Sequence, residues 1–211
     1  MDLFEDKNIK PMLIGAESEA FDSHEYIYEL KLDGERCIAY LDSSETELRN
    51  KRNVKMLQKV PELSDVHKHI KKRCILDGEL AVIKDGKPDF FEIQRRSLMS
   101  NPLKIELASR RYPASYIAFD ILYYEDHAIS GLPLIERKEL LQSVVEKETP
   151  AFAISRFIEE HGIAYYDLVE KQGLEGIVAK YKDSKYYFDK RTRDWIKIKY
   201  LQDDVSPPRY N

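Results

Sequence analysis

Glu29-Leu30-Lys31-Leu32-Asp33-Gly34-Glu35-Arg36 decides how this chain is read. Ahead of it, Tyr26-Ile27-Tyr28 is rich in aromatic and β-branched residues and reads as a strand. Behind it, Cys37-Ile38-Ala39-Tyr40-Leu41 reads as another. Asp33-Gly34 marks the turn between them, because glycine adopts turn conformations that other residues resist. Lys31 therefore stands at a strand end beside a tight turn. A lysine held there can serve as a nucleophile if nearby cations or a metal disfavour its protonated form. The plain alternative is a hairpin turn with solvated charges, and so short a stretch does not choose between the two.

The rest of the chain bounds the choice. Its 211 residues suit one large domain or two small ones, and 43% hydrophobic with 34% charged residues is a globular balance. Thirty-four Lys and Arg face 38 Asp and Glu, a net charge of -4, so any nucleic-acid surface has to be a local patch. Cys37 and Cys74 each lie in an apolar, strand-like run; they read as core residues of a reducing compartment, without metal-type spacing. Met1 to Asp6 is acidic and lacks an apolar signal region, which points to a cytoplasmic protein.

Residues 1–25 read as a loop against the sheet, anchored by Lys10-Pro11-Met12-Leu13. Strands are expected near 26–31, 36–41, 46–50, 74–83, 115–124, 175–180 and 194–200. Helices are expected from Pro61 to about Ile70, over 90–99, from about Pro133 to Lys147, and over 161–172, where Gly173 ends the last. His67 and His69 read as solvated surface. Hairpins alternating with helices describe an α+β fold with mainly antiparallel sheets.

Several further segments carry chemistry. Asp77-Gly78-Glu79 sits within an apolar run, where an acid is costly unless it is paired or holds a metal. Glu79 is a candidate for a ribose hydroxyl or Mg²⁺; an exposed carboxylate on a bulged edge strand is the alternative. Glu175 opens the strand Gly176-Ile177-Val178-Ala179-Lys180, and Glu79 with Glu175 is the natural Mg²⁺ pair. In Trp195-Ile196-Lys197-Ile198-Lys199 the two lysines share one face, as around an anion. Phe119 is a candidate base-stacking ring or a core residue. Arg191 and Arg193 hold phosphate or solvate a loop. Residues 180–199 are the main local basic run and read as a surface that tracks a phosphate backbone with steep salt dependence.

Five segments stand in one order: KLDGER at 31–36, LDGEL at 76–80, YIAFDILYY at 116–124, LEGIVAK at 174–180 and DWIKIK at 194–199. This order closely resembles nucleotidyltransferase motifs I, III, IIIa, IV and V of the ATP-dependent DNA ligases, in the bacterial form. Lys10-Pro11-Met12-Leu13, Arg52-Asn53 ahead of Pro61-Glu62-Leu63, and Leu134 to Lys138 extend the resemblance over about residues 10–204. Separate weak matches in a fixed order reinforce one another. The resemblance implies an ATP-grasp-like adenylation domain over 1–200 that uses ATP and Mg²⁺ and acts on nicked double-stranded DNA in repair or recombination. It implies Lys31 as the nucleophile that forms lysyl-AMP and Glu29 as the reader of the adenine amino group. Arg36 and Arg52 would meet ribose and phosphate, Glu79 ribose and metal, Phe119 the adenine ring, and Glu175 the metal. Arg191, Lys197 and Lys199 would hold phosphates. The loop Tyr186 to Arg191 departs from the family's glycine-bearing loop, so Arg191 and Arg193 both stay open. Such ligases continue into an OB-fold domain with a sixth motif, and residues 201–211 are too few for that barrel. A natural single-domain form and a chain cut at the domain boundary both fit. A weakly catalytic nick- or nucleotide-binding module, and an RNA ligase or capping-type enzyme, are the competing functions.

Overall fold

The computed structural model describes residues 2–199. The elements run α1 (Leu3–Asp6), β1 (Leu13–Glu17), β2 (Tyr26–Leu30), β3 (Glu35–Leu41), β4 (Thr46–Asn50), β5 (Cys74–Lys84), β6 (Lys87–Pro88), α2 (Phe90–Leu98) and α3 (Pro102–Arg111). There follow β7 (Ala114–Tyr124), β8 (His127–Ala128), α4 (Leu134–Val144), β9 (Phe152–Ile154), β10 (Phe157–Glu159), α5 (Gly162–Lys171), β11 (Gly176–Tyr181) and β12 (Arg191–Lys199). They build two sheets. One has the order β1-β12-β11-β2-β10; the other runs β4-β3-β5-β7-β8, with β6 on β5 and β9 on β7. All pairings between these strands are antiparallel except β1 with β12 and β7 with β9, as the α+β expectation requires.

Strand alternation explains the layering. Glu29 pairs with Val178, and Val178 with Lys197. One face of this sheet therefore carries Glu29, Val178, Lys180, Trp195, Lys197 and Lys199. The opposite face carries Tyr28, Ile177, Ala179 and Ile198, which pack against Val169 of α5. In the second sheet Cys37, Ala39, Leu41, Cys74, Leu76 and Leu80 share a core with Ile93 of α2 and Leu141 and Val144 of α4. Its other face, with Ile38, Tyr40, Ile75 and Phe119, meets Val178 and Trp195 of the first sheet. Helices thus cover the outer faces and the sheets meet in the middle, so side chains of both sheets converge on the cleft.

Several expectations shift. Residues 1–25 are not all loop: Leu13–Glu17 forms β1, held by parallel pairing with β12. That pairing also starts β12 at Arg191, three residues before the expected start at Asp194. The segment from Pro61 forms two 3₁₀ turns, Pro61–Leu63 and Val66–His69, not one α-helix. His67 is half-buried, with Nδ1 near both the Thr46 hydroxyl and the Ser64 carbonyl. The helix α3 was not foreseen, although Asn101 caps it and Pro102 opens it. The tail 201–211, where an OB-fold domain was expected to begin, lies outside the described residues. Among the described residues no helix is long and apolar enough to cross a membrane.

Candidate active site

Lys31 follows β2 directly, and its backbone N–H donates to the Gly176 carbonyl at 2.9 Å. A Cβ on Gly34 would stand 2.3 Å from the Leu80 carbonyl oxygen, so the turn after Lys31 lies against β5 only because residue 34 has no side chain. Gly176 has φ 140°, and a Cβ there would meet the Ile198 carbonyl oxygen at 2.2 Å. Glycine at both positions lets three backbones close around the lysine.

A cavity of about 180 Å³ opens there, lined by Glu29, Lys31, Asp33, Arg36, Glu79, Phe119, Val178, Lys180 and Trp195 among others. Five of the sequence-predicted residues thus meet: Glu29, Lys31, Arg36, Glu79 and Phe119. The other predicted residues do not line it. Glu175 and Lys31 line an adjoining pocket with Asp33 and Lys87. There the Lys31 ammonium pairs with Glu175 at 2.7 Å, and Lys199 pairs with the same carboxylate at 2.7 Å. Burial works to raise the Glu175 pKa, but its bonds to Lys199 and Lys31 outweigh that and hold it below the usual range. Arg52 is exposed and lines a third pocket, which shares Gly34, Arg36 and Glu79 with the first. Arg191 is exposed and donates to the Ile14 carbonyl at 2.8 Å, which fixes β1. Lys197 pairs with Glu17 at 2.6 Å.

Charge inside the cleft is arranged unevenly. Arg36 grips Asp77 with two hydrogen bonds, 2.6 Å from Nε and 2.5 Å from Nη2. Tyr186 donates to the same carboxylate at 2.5 Å, so the fully buried Asp77 is satisfied. Two residues on, the Glu79 carboxylate has no hydrogen-bond partner among the described residues, although its backbone belongs to the β5 ladder. Burial pushes its pKa up to about 8; Arg36 opposes this and Asp77 adds to it. Glu29 is 2% exposed, with Lys138 against Oε1, and Lys180 at 3.2 Å and the Ser155 hydroxyl at 2.8 Å from Oε2. The Phe119 ring has the Arg36 guanidinium 4.5 Å and the Lys180 ammonium 4.4 Å from its centroid.

Two corrections follow. The basic run 180–199 is not one open surface. Lys180 is buried against Glu29, while Lys182, Lys197 and Lys199 each pair with an acid. Asp77, Lys138, Ser155 and Lys180 belong to the site architecture, and sequence reasoning gave none of them a role there. For Asp77 the signal was present: an acid in an apolar run needs a partner.

A family model for the ATP dependent DNA ligase domain matches residues 11–199. The chain belongs to that family. The DNA ligase-like protein LigB of the SPbeta prophage in Bacillus subtilis is 33% identical over 190 residues, which cover 90% of this chain and 67% of that protein. DNA ligase C2 of Mycolicibacterium smegmatis is 31% identical over 181 residues, covering 84% of this chain and 51% of that protein. The ligase domain also superposes on a solved mycobacterial DNA ligase D complexed with ATP and MES, with TM-score 0.75 and 25% identity over 92% of this chain and 60% of that one. The ATP-dependent DNA ligase of bacteriophage T7 has the same fold at 18% identity, with TM-score 0.60. This chain therefore spans about half to two thirds of the relatives described.

Proposed function

We propose that this domain transfers AMP from ATP through Lys31 to the 5′-phosphate of nicked duplex DNA. The supporting observation is that Lys31 opens onto the cavity that Glu29, Arg36, Glu79 and Phe119 also line. In the first step the Lys31 amine attacks the α-phosphorus of ATP. A phosphoramidate forms, pyrophosphate leaves, and the amine gives up a proton. AMP then passes to the DNA 5′-phosphate, and the neighbouring 3′-hydroxyl displaces it to make the phosphodiester. The amine must be unprotonated to attack, so its ion pair with Glu175 has to open or take up the proton first.

Glu29 is placed to accept a hydrogen bond from the adenine amino group. Phe119 offers a ring face, for which a base competes with Arg36 and Lys180. Arg36 lines both the cavity and the neighbouring pocket that Arg52 lines, and the two suit ribose and phosphate. Lys199 suits a phosphate next to Lys31, with Lys197 and Arg191 further along the same strand. Phosphoryl transfer of this kind rests mostly on positioning and charge.

No group of three His, Cys, Asp or Glu among the described residues is placed to hold a metal. Mg²⁺ nonetheless suits the site, because it takes one or two carboxylates and fills its shell with phosphate oxygens and water. Glu79, half-buried and without a hydrogen bond on its carboxylate, and Glu175 would hold it, and it would supply positive charge to the phosphates. The test is intact mass after incubation with ATP and Mg²⁺. A gain of one AMP, mapped to Lys31 and lost in Lys31→Ala, is expected. Labelling by GTP instead would indicate a capping-type enzyme, and nick binding without any label would indicate a binding module.

A further inference from the structure

Behind Glu29, outside the cavity lining, stands a cation to which the proposed function gives no task. Lys138, from α4, is 2% exposed and lies against Glu29 Oε1. It is not among the residues that line the cavity. Its other neighbour there is the Phe157 ring, 5.7 Å from the ammonium. Lys180 differs: it lines the cavity, and its ammonium lies 4.4 Å from the centroids of both Phe119 and Trp195. Lys180 is placed to touch a ligand, whereas Lys138 reaches one only through Glu29.

An ionised carboxylate has about four lone-pair positions and no donor. Ser155 donates to Oε2, beside which the Lys180 ammonium lies at 3.2 Å, and Lys138 forms an ion pair with Oε1. Oε1 accepts no hydrogen bond among the described residues, so it has an acceptor position to offer. We infer that Lys138 is a positioning residue that holds Glu29 as an acceptor-only carboxylate and so selects a 6-amino purine over a 6-oxo purine. The inference rests on the proposed role of Glu29 as the reader of the base.

The chemistry is one of matched polarity. A 6-amino group presents an N–H to the open lone pair. A 6-oxo group presents a second lone pair, which an ionised carboxylate repels. A protonated Glu29 would carry an O–H and could serve either base, so selectivity requires the charge. Burial alone drives a carboxyl towards the neutral form. Lys138 is the strongest of the influences that oppose burial here, followed by Lys180. Removing Lys138 thus removes the main reason for Glu29 to stay charged, and frees its carboxylate to turn.

The experiment compares initial rates of AMP and IMP labelling of the full chain from ATP and ITP, with Mg²⁺, by intact mass. Wild type is expected to prefer ATP. Lys138→Met should narrow the ATP-to-ITP ratio by about tenfold or more, the scale of one charged hydrogen bond in a buried site. Lys138→Arg, which keeps the charge, should retain most of the ratio. Adding Lys138→Met to Glu29→Gln should change the ratio no further. Thermal melts accompany each variant, and Lys138→Gln replaces Lys138→Met if the latter does not fold. Equal slowing with both nucleotides and an unchanged ratio would make Lys138 a packing residue and overturn the inference. A wild type indifferent to ATP and ITP, or a Glu29→Gln variant with an unchanged ratio, would instead overturn the base-reading role of Glu29.

Discussion

Two cation–carboxylate pairs of equal length differ in their surroundings. Arg137 meets Asp120 at 2.7 Å, with both side chains 0% exposed. Lys31 meets Glu175 at 2.7 Å, with the side chains 20% and 24% exposed. Arg137 makes two hydrogen bonds to Asp120 and donates also to the Leu132 and Ser184 carbonyls. Asp120 Oδ1 also accepts from the Ile121 N–H, so both partners of that pair are saturated by protein groups. In the other pair, Lys199 shares the Glu175 carboxylate, so each partner can exchange. Distance is the same; burial separates the two pairs, and on the proposed function it separates scaffold from machinery.

The largest expected effect breaks the scaffold pair. Arg137→Met leaves a buried Asp120 charge and two carbonyls without their donor, which should cost about 3–5 kcal/mol. For a domain of this size that lowers the melting temperature by on the order of 10 °C. Adding Asp120→Leu should restore part of the loss, because an uncompensated charge is worse than none. The Lys31→Ala variant, by contrast, should melt within a few degrees of wild type while taking no AMP. A collapse of Lys31→Ala and a tolerant Arg137→Met would invert the comparison.

Phe119→Leu comes next. Phe119 packs edge-on against Trp195 at 6.3 Å between ring centroids, under the two cations. Leucine keeps much of the volume but loses the ring face, so stability should fall by about 1–2 kcal/mol. The rate of labelling at low ATP should fall at least several-fold, with less effect at saturation. Unchanged labelling at low ATP, beside a clear loss of stability, would assign Phe119 to the core alone.

These residues also show what a single chain makes legible. Lys31, Glu79 and Glu175 stand out because each is a charged residue that breaks or ends an apolar pattern, whereas Phe119 continues one and is marked by the family resemblance. The core positions of Cys37 and Cys74 follow from the same patterns. The partners do not. Glu29 is held by Lys138 and Lys180, more than a hundred residues away, and Asp77 by Arg36 of the neighbouring strand β3 and by Tyr186 from the segment between β11 and β12. A lysine that will be buried has the same local signature as one that will be solvated. Arg191 to Asp194 likewise carries no strand pattern, yet pairing with β1 draws the first of these residues into a strand. Tertiary pairing, not local propensity, decides such segments.

A smaller effect concerns pH. Burial depresses the Lys180 pKa from 10.5 to about 8, with Glu29 opposing and Lys138 reinforcing the change. Between those two values the unfolded chain keeps a proton that the folded chain releases. Stability from this group therefore rises as pH rises from about 8 towards 10.5. Lys180→Met removes the dependence, so its melting temperature relative to wild type should be most favourable at pH 7 and decline by pH 9.5. A difference that stays flat over that range would show that Lys180 keeps an ordinary affinity for its proton.

The smallest effect tests the exposed end of the comparison. Lys197 and Glu17 pair at 2.6 Å with side chains 36% and 50% exposed, in neighbouring strands at the sheet edge. Water screens such a pair and both chains lose rotamer freedom to form it, so it contributes about 0–1 kcal/mol. Glu17→Gln should shift the melting temperature by no more than about 3 °C, and by less still as salt is raised. It also frees Lys197, on the cleft face of β12, from its local acid. If Lys197 serves phosphates, labelling at limiting ATP should hold or improve in Glu17→Gln and fall in Lys197→Met. A destabilisation as large as that of Arg137→Met would mean that exposure does not divide the two classes of ion pair. Equal labelling in both variants would take Lys197 out of the phosphate-holding set and leave Lys199 as the cation of that strand that serves Lys31.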